Sequence, residues 1–149
     1  MQVRQILIPI DFSDYSDQAL RWGISLARKY GAQLLLLHVI PEVLEEVSAR
    51  ESAGEQRVMG LTAEVESRLH EMARQGLEKG LAVDVRVADG EPTDAILRIV
   101  RQENVDLIIM GTHGRTGWSH VLLGSTAEAV LRAASCPVFT VRASATPAR

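Results

Sequence analysis

The sequence predicts an open three-layer α/β fold, with five parallel strands in one sheet and helices on both faces. Three observations lead there. Strand-like apolar runs alternate with segments of helical periodicity along the whole chain. Most of the runs are continuously apolar rather than alternating, as expected of strands buried on both sides in a parallel sheet. The 149 residues (16.3 kDa) suit one domain, and 46% hydrophobic against 23% charged residues is globular rather than disordered composition. Aromatic residues make up only 4%, so the core must be aliphatic.

Residues 3–10 (Val-Arg-Gln-Ile-Leu-Ile-Pro-Ile) are the first predicted strand. Pro9 donates no ladder hydrogen bond and belongs near its end. Ser16 is the expected N-cap of the helix that follows, with Asp17 near the positive helix terminus. Ala19, Leu20, Gly23, Ile24, Ala27 and Tyr30 form its inner face, and Gly31 stops it. Residues 33–40 are a second buried strand. The span 42–57 carries five Glu and two Arg, equal to the whole net charge of −3, and its apolar spacing is poor. It reads as a mobile acidic connector inside one domain covering residues 1–149.

Helical spacing resumes with Val58, Leu61, Val65, Leu69 and Met72 and closes at Gly80. Residues 81–88 alternate in polarity and predict a strand near a sheet edge. Pro92 suits the first position of another helix, with Ala95, Ile96, Ile99 and Val100 inward. Residues 106–110 form a fourth strand ending at Gly111, and a glycine-containing loop runs on to Gly124. Ser125 and Glu128 then have capping-box spacing before Ala127, Val130, Leu131 and Ala134. Residues 137–142 make the last strand, and no repeat of 20–50 residues appears.

Composition excludes several classes of function. Of 16 basic residues only Lys29 and Lys79 are lysines, and no basic block marks a nucleic-acid footprint. The longest apolar run, residues 34–40 broken by His38, is far too short to cross a bilayer. No signal-peptide core precedes Asp11. The lone Cys136 forms no internal disulfide and reads as a small packing residue. The expectation is a soluble, cytoplasmic protein.

In open α/β sheets a ligand lies beyond the carboxyl ends of the strands, where strand order reverses. The strand ends here read Pro9-Ile10-Asp11-Phe12-Ser13, His38-Val39-Ile40 and Met110-Gly111-Thr112-His113-Gly114-Arg115. Gly111, Gly114 and Gly117 remove side chains where a backbone approaches something bulky or takes a positive φ. Gly124-Ser125-Thr126 then opens a helix whose free N–H groups and dipole suit an anion. Such a loop fits a polyphosphate, although glycines between strand and helix also serve as plain turn residues. Neither a P-loop nor a G-x-G-x-x-G after the first strand is present.

The spacing Gly111-x-x-Gly114, nine residues, Gly124-Ser125 resembles the G-2x-G-9x-G-[S/T] signature of the ATP-binding branch of the universal stress protein family. The opening Ile-Leu-Ile-Pro-Ile-Asp-Phe-Ser, the Gly-Ala-x-Leu-x-Leu-Leu-His-Val of the second strand, the Gly90-x-Pro92 turn, Asp106 to Gly114, and Cys136-Pro-Val agree along the chain. The resemblance implies a Rossmann-like sheet of the adenine-nucleotide alpha-hydrolase-like kind. It implies that Asp11 and the Pro9 region meet the ribose or base, and that the Val39 backbone reads the adenine edge. Met110 and Gly111 would lie on the ribose, while Thr112, His113, Gly114, Arg115, Gly124, Ser125 and Thr126 wrap the phosphates.

Plainer roles stand beside these. Asp11 also suits a cap on the turn into the first helix, Arg115 a solvated cation, His113 a loop-stabilising residue and His38 a hydrogen-bonded core histidine. ATP would bring Mg²⁺ or Mn²⁺ on its phosphates, with Asp11 and Ser13 the nearest protein ligands. No residue pair declares a general base, and the resemblance implies nucleotide binding with weak or no hydrolysis, so the function expected is an ATP-binding, nucleotide-dependent regulatory module in the stress response. A slow ATPase or nucleotide-transferring enzyme and a nucleotide-independent dimeric interaction protein are the alternatives. A phospho-acceptor domain is disfavoured because no lysine follows Val141. The resemblance also implies a homodimer through the last strand, Pro137 to Arg142, to be tested by Val141→Pro.

Overall fold

The computed structural model describes residues 2–41, 54–113 and 123–142, with the backbone alone described at 54–58. Strands β1 (Gln5–Pro9), β2 (Gln33–Ile40), β3 (Val83–Asp89), β4 (Leu107–Gly111) and β5 (Val138–Val141) form one sheet. Its order is β3-β2-β1-β4-β5 and every pairing is parallel. Helices α1 (Asp14–Tyr30), α2 (Gly54–Leu77), α3 (Pro92–Gln102) and α4 (Ser125–Ala133) make the crossovers. This is the predicted architecture, and the alternating strand β3 lies at an edge as its pattern requires.

Period-2 alternation along the strands divides the core into two layers. Ile6, Ile8, Leu34 and Leu36 pack with Leu20 and Ile24 of α1 and with Val65 and Leu69 of α2. Leu7, Leu35, Leu37, Ile108 and Met110 face the other way, toward Ile96 and Val100 of α3 and Val130 of α4. Each fully buried Leu or Ile contributes roughly 1.5–3 kcal/mol, so β1 and β2 anchor both layers. The amino end of β1 is tied down separately. Asp106 Oδ2 accepts the N–H groups of Arg4 and Gln5 at 2.8 and 3.0 Å, and Asp106 N–H donates to the Gln5 carbonyl at 3.0 Å.

Helix starts differ from expectation in three places. The N-cap of α1 is Ser13, not Ser16: Ser13 Oγ accepts the Ser16 N–H, while Ser16 is buried with its Oγ donating to the Ser13 carbonyl. In α4 the capping box does not form, because Gly124 is the N-cap and Ser125 already the first helical residue. Glu128 turns away to pair with Arg132 at 2.8 Å. Tyr30 and Leu131, expected inward, are half exposed. Helix α2 begins at Gly54, so residues 54–57 of the predicted connector are helical, and residues 42–53 lie outside the described residues. Gly31, at φ 67°, ends α1 as expected, and Pro92 opens α3 with its predicted face buried.

Candidate functional site

From β1 the chain crosses to β2 on one side, while β4 lies on the other, so strand order reverses between β1 and β4. A cavity of about 610 Å³ opens beyond the carboxyl ends of these strands, within the roughly 300–1,000 Å³ of small-molecule sites. Pro9, Asp11 and Val39 line it from β1 and β2. Met110, Gly111, Thr112 and His113 line it from the end of β4, and Gly124, Ser125 and Thr126 from the start of α4. The structure therefore brings together every described residue that the sequence analysis named for the nucleotide. Gly114 and Arg115 lie outside the described residues.

The α4 end of the cavity presents an uncapped helix N-terminus. Helix α1 is capped by Ser13 and α3 by Glu91, whose carboxylate accepts the Asp94 N–H at 2.9 Å, whereas α4 has no side-chain cap. Its first helical hydrogen bond runs from Glu128 N–H to the Gly124 carbonyl at 2.9 Å. The N–H groups of Ser125, Thr126 and Ala127 thus have no acceptor among the described residues, and all three residues line the cavity. Unpaired N–H groups and the positive end of the helix dipole together attract negative charge.

The two described glycines of this loop, Gly111 and Gly124, have reasons internal to the chain. A Cβ on Gly111 would lie 2.6 Å from Tyr15 Cβ and 3.0 Å from the Tyr15 carbonyl carbon, so the bulky neighbour there is α1. A Cβ on Gly124 would lie 3.1 Å from the Thr112 carbonyl oxygen, which accepts the Gly124 N–H. Neither glycine has a positive φ. Thr112 is held from both sides: it is 4% exposed, its N–H donates to the Val141 carbonyl, and its Oγ1 lies 3.0 Å from His113 Nδ1. The His113 ring rests against Tyr15 at 5.2 Å between centroids.

Asp11 serves the turn and still faces the cavity. Its Oδ1 accepts from Ser13 N–H at 3.0 Å and Ser13 Oγ–H at 2.5 Å, and Oδ2 has no donor among the described residues. Ser13, named beside Asp11 as a candidate metal ligand, does not line the cavity, and its hydroxyl is engaged with Asp11 and Ser16. Among the described residues no three His, Cys, Asp or Glu side chains are placed to hold a metal.

Three further residues line the cavity: Phe12 and His38, which the sequence places at strand ends without a ligand role, and Arg68, which it does not single out. Phe12 adopts φ 64°, uncommon for a bulky side chain, and its ring meets His38 at 4.8 Å. The Arg68 guanidinium of α2 lies 3.8 Å from the Phe12 ring centroid, a cation–π contact. His38 is hydrogen-bonded, as a core histidine would be, with Nδ1 2.7 Å from the Ile10 carbonyl, yet it is half-buried and lines the cavity. The available signal was helical spacing: Arg68 follows Leu61 and Val65 on one stripe of α2, and all three reach the cavity. Cys136 packs against the layer of α3 and α4, and burial pushes its thiol pKa up, consistent with a packing role.

Residues 2–142 match the model of the universal stress protein family. The chain is 32% identical over 155 residues to the universal stress protein MJ0577 of Methanocaldococcus jannaschii, covering 93% of this chain and 94% of that one. The solved structure of MJ0577 superposes with a TM-score of 0.85 at 31% identity, over 95% of this chain and 97% of that chain. A universal stress protein crystallised with cAMP shares the fold at 21% identity and TM-score 0.72, over 97% and 100% of the two chains. So does one from Archaeoglobus fulgidus in complex with dAMP, at 20% identity and TM-score 0.67, over 94% and 98%. With a family match along nearly its whole length and the five-stranded sheet that its relatives share, this chain belongs to the universal stress protein family.

Proposed function

We propose that the chain is an ATP-binding regulatory module of the stress response, in which bound nucleotide orders the loop between β4 and α4 and so changes partner choice. One observation carries the reading: the uncapped N-terminus of α4 opens into the cavity at the strand-order reversal. The N–H groups of Ser125, Thr126 and Ala127 would hold phosphate oxygens, with the Thr126 hydroxyl beside them. Asp11 Oδ2 would accept from a ribose hydroxyl, and Met110 and Gly111 would flank the sugar. Pro9 and Val39 would border the base, and by the family resemblance Gly114 and Arg115 would meet the phosphates. The complexes of two fold relatives with cAMP and dAMP support an adenine nucleotide.

Binding rather than turnover fits the donors present. Asp11 Oδ1 holds Ser13 and His113 Nδ1 lies beside Thr112, so each has a structural task in the loop. The test is to denature the freshly purified chain and identify any released nucleotide by chromatography and mass. Near-stoichiometric ATP is expected. Released ADP or AMP would instead favour slow hydrolysis, and no nucleotide together with no binding of added Mg²⁺-ATP would overturn the reading.

The same proposal includes a homodimer through β5. Ile108 N–H donates to the Pro137 carbonyl and Thr112 N–H to the Val141 carbonyl, so odd-numbered residues of β5 face β4. The N–H and C=O groups of Val138 and Thr140 therefore point to the open edge. Trp22 and Phe139, 48% and 40% exposed with rings 5.7 Å apart, flank that edge on the α1 side. This register changes the choice of test. Val141→Pro would break an internal ladder bond, whereas Thr140→Pro removes an edge donor. Thr140→Pro is expected to halve the mass seen by light scattering with little change in melting temperature; an unchanged mass counts against the interface.

A further inference from the structure

We infer that His38 is a positioning residue for base recognition: its Nδ1–H occupies the Ile10 carbonyl that would otherwise take the Val39 N–H, leaving the Val39 peptide groups open to a purine edge. The inference rests on the nucleotide reading above and deepens it. The ladder shows where strand pairing gives way to the side chain. Gln33 N–H donates to the Arg4 carbonyl and the Leu37 carbonyl accepts from Ile10 N–H, so odd-numbered residues of β2 face β1. Leu34 N–H donates to the Ala82 carbonyl and the Ile40 carbonyl accepts from Gly90 N–H, so even-numbered residues face β3. Val39 is odd. Its N–H and C=O therefore face the side of β1, and a continuing parallel ladder would pair them with Ile10 C=O and Phe12 N–H.

Neither bond forms, and the β1–β2 register ends at Pro9 and Leu37. The Ile10 carbonyl instead lies 2.7 Å from His38 Nδ1, and since a carbonyl only accepts, Nδ1 carries the proton. His38 stands one register step beyond that last pair, opposite Ile10, so its ring closes the ladder from the side chain. Phe12, turned into the left-handed region at φ 64°, takes the next backbone N–H away from Val39, and its ring lies 4.8 Å from the imidazole. The result is a strand end with one donor and one acceptor, spaced as in a peptide, on the cavity wall. Adenine offers the matching pair, an N6–H donor beside the N1 acceptor. Hypoxanthine presents an O6 acceptor beside an N1–H donor and meets both groups with the wrong polarity. His38 thus sets adenine selectivity without touching the base.

The test compares wild type, His38→Leu and His38→Asn, since the Asn Nδ2–H sits where His Nδ1–H does and can still donate. Probes are AMP, IMP and inorganic tripolyphosphate, with hydrogen exchange of the Val39 amide followed by NMR. In nucleotide-free wild type the Val39 amide is expected to exchange fast and to become protected by AMP. In His38→Leu it pairs with Ile10, exchanges at least about tenfold more slowly, and AMP binds about tenfold more weakly. The AMP-over-IMP preference shrinks, tripolyphosphate affinity stays, and His38→Asn restores wild-type behaviour. A Val39 amide already protected in nucleotide-free wild type overturns the inference without recourse to any variant. So does AMP binding that His38→Leu leaves unchanged. Wild type that binds tripolyphosphate but no AMP or IMP overturns the adenine reading and the role of His38 with it, whereas failure of the amide exchange alone leaves the nucleotide reading standing.

Discussion

Gly111→Ala is expected to lower the stability of the nucleotide-free chain by about 1–3 kcal/mol, the usual cost of forcing a methyl into a packed interior. The added Cβ would approach Tyr15 Cβ to 2.6 Å and the Tyr15 carbonyl carbon to 3.0 Å. No rotamer change relieves this, because neither atom moves when the Tyr15 side chain rotates. Either β4 or the first turn of α1 must shift. Gly124→Ala should cost less, since its Cβ would meet only one carbonyl oxygen, at 3.1 Å. Urea denaturation without nucleotide measures both. An unchanged midpoint for Gly111→Ala would show that α1 yields freely and return this glycine to a purely ligand-facing role.

Thr126→Glu is expected to do the reverse, sparing the fold and removing polyphosphate binding. A carboxylate in the first turn of α4 opposes the helix dipole favourably and should hold or raise stability by about 0.3–1 kcal/mol. The same charge about 5 Å from a bound phosphate costs on the order of 3 kcal/mol at an effective dielectric near 20, roughly a hundredfold in affinity. ATP and ADP should both weaken by at least that factor, whereas adenosine, which has no phosphate, should bind as before. Titration calorimetry with the three ligands checks it. Equal affinity for ATP in wild type and variant would mean that the phosphates do not sit at α4.

Features written in local chemistry were legible from the chain alone. The continuous run 33–40 is β2 residue for residue, Pro92 opens α3, and Gly31 closes α1 in the left-handed conformation. The described members of the predicted site converge because strand ends in a parallel sheet necessarily gather on one side. What failed depended on choices among near-equivalent groups. Between positions 11 and 17 the chain offers Asp11, Ser13, Asp14, Ser16 and Asp17, any of which can cap a helix. The selection of Ser13 follows from the left-handed Phe12 and the Asp11 carboxylate that grips the next turn. Arg68 was invisible for another reason: periodicity shows which stripe of α2 turns inward, but not that this stripe overhangs the cavity.

The two ends of β1 are finished in opposite ways, and the consequence is a gradient of motion. At the amino end, one carboxylate from Asp106 grips two successive amides across more than a hundred positions of sequence. At the carboxyl end, backbone groups on β2 and α4 are left without protein partners among the described residues. Local opening starts where hydrogen bonds are fewest, so fluctuations of this sheet should fray from the cavity end and die out toward Asp106. A ligand seated there would quench mobility already confined to its own surroundings, leaving the far end of each strand as still as before.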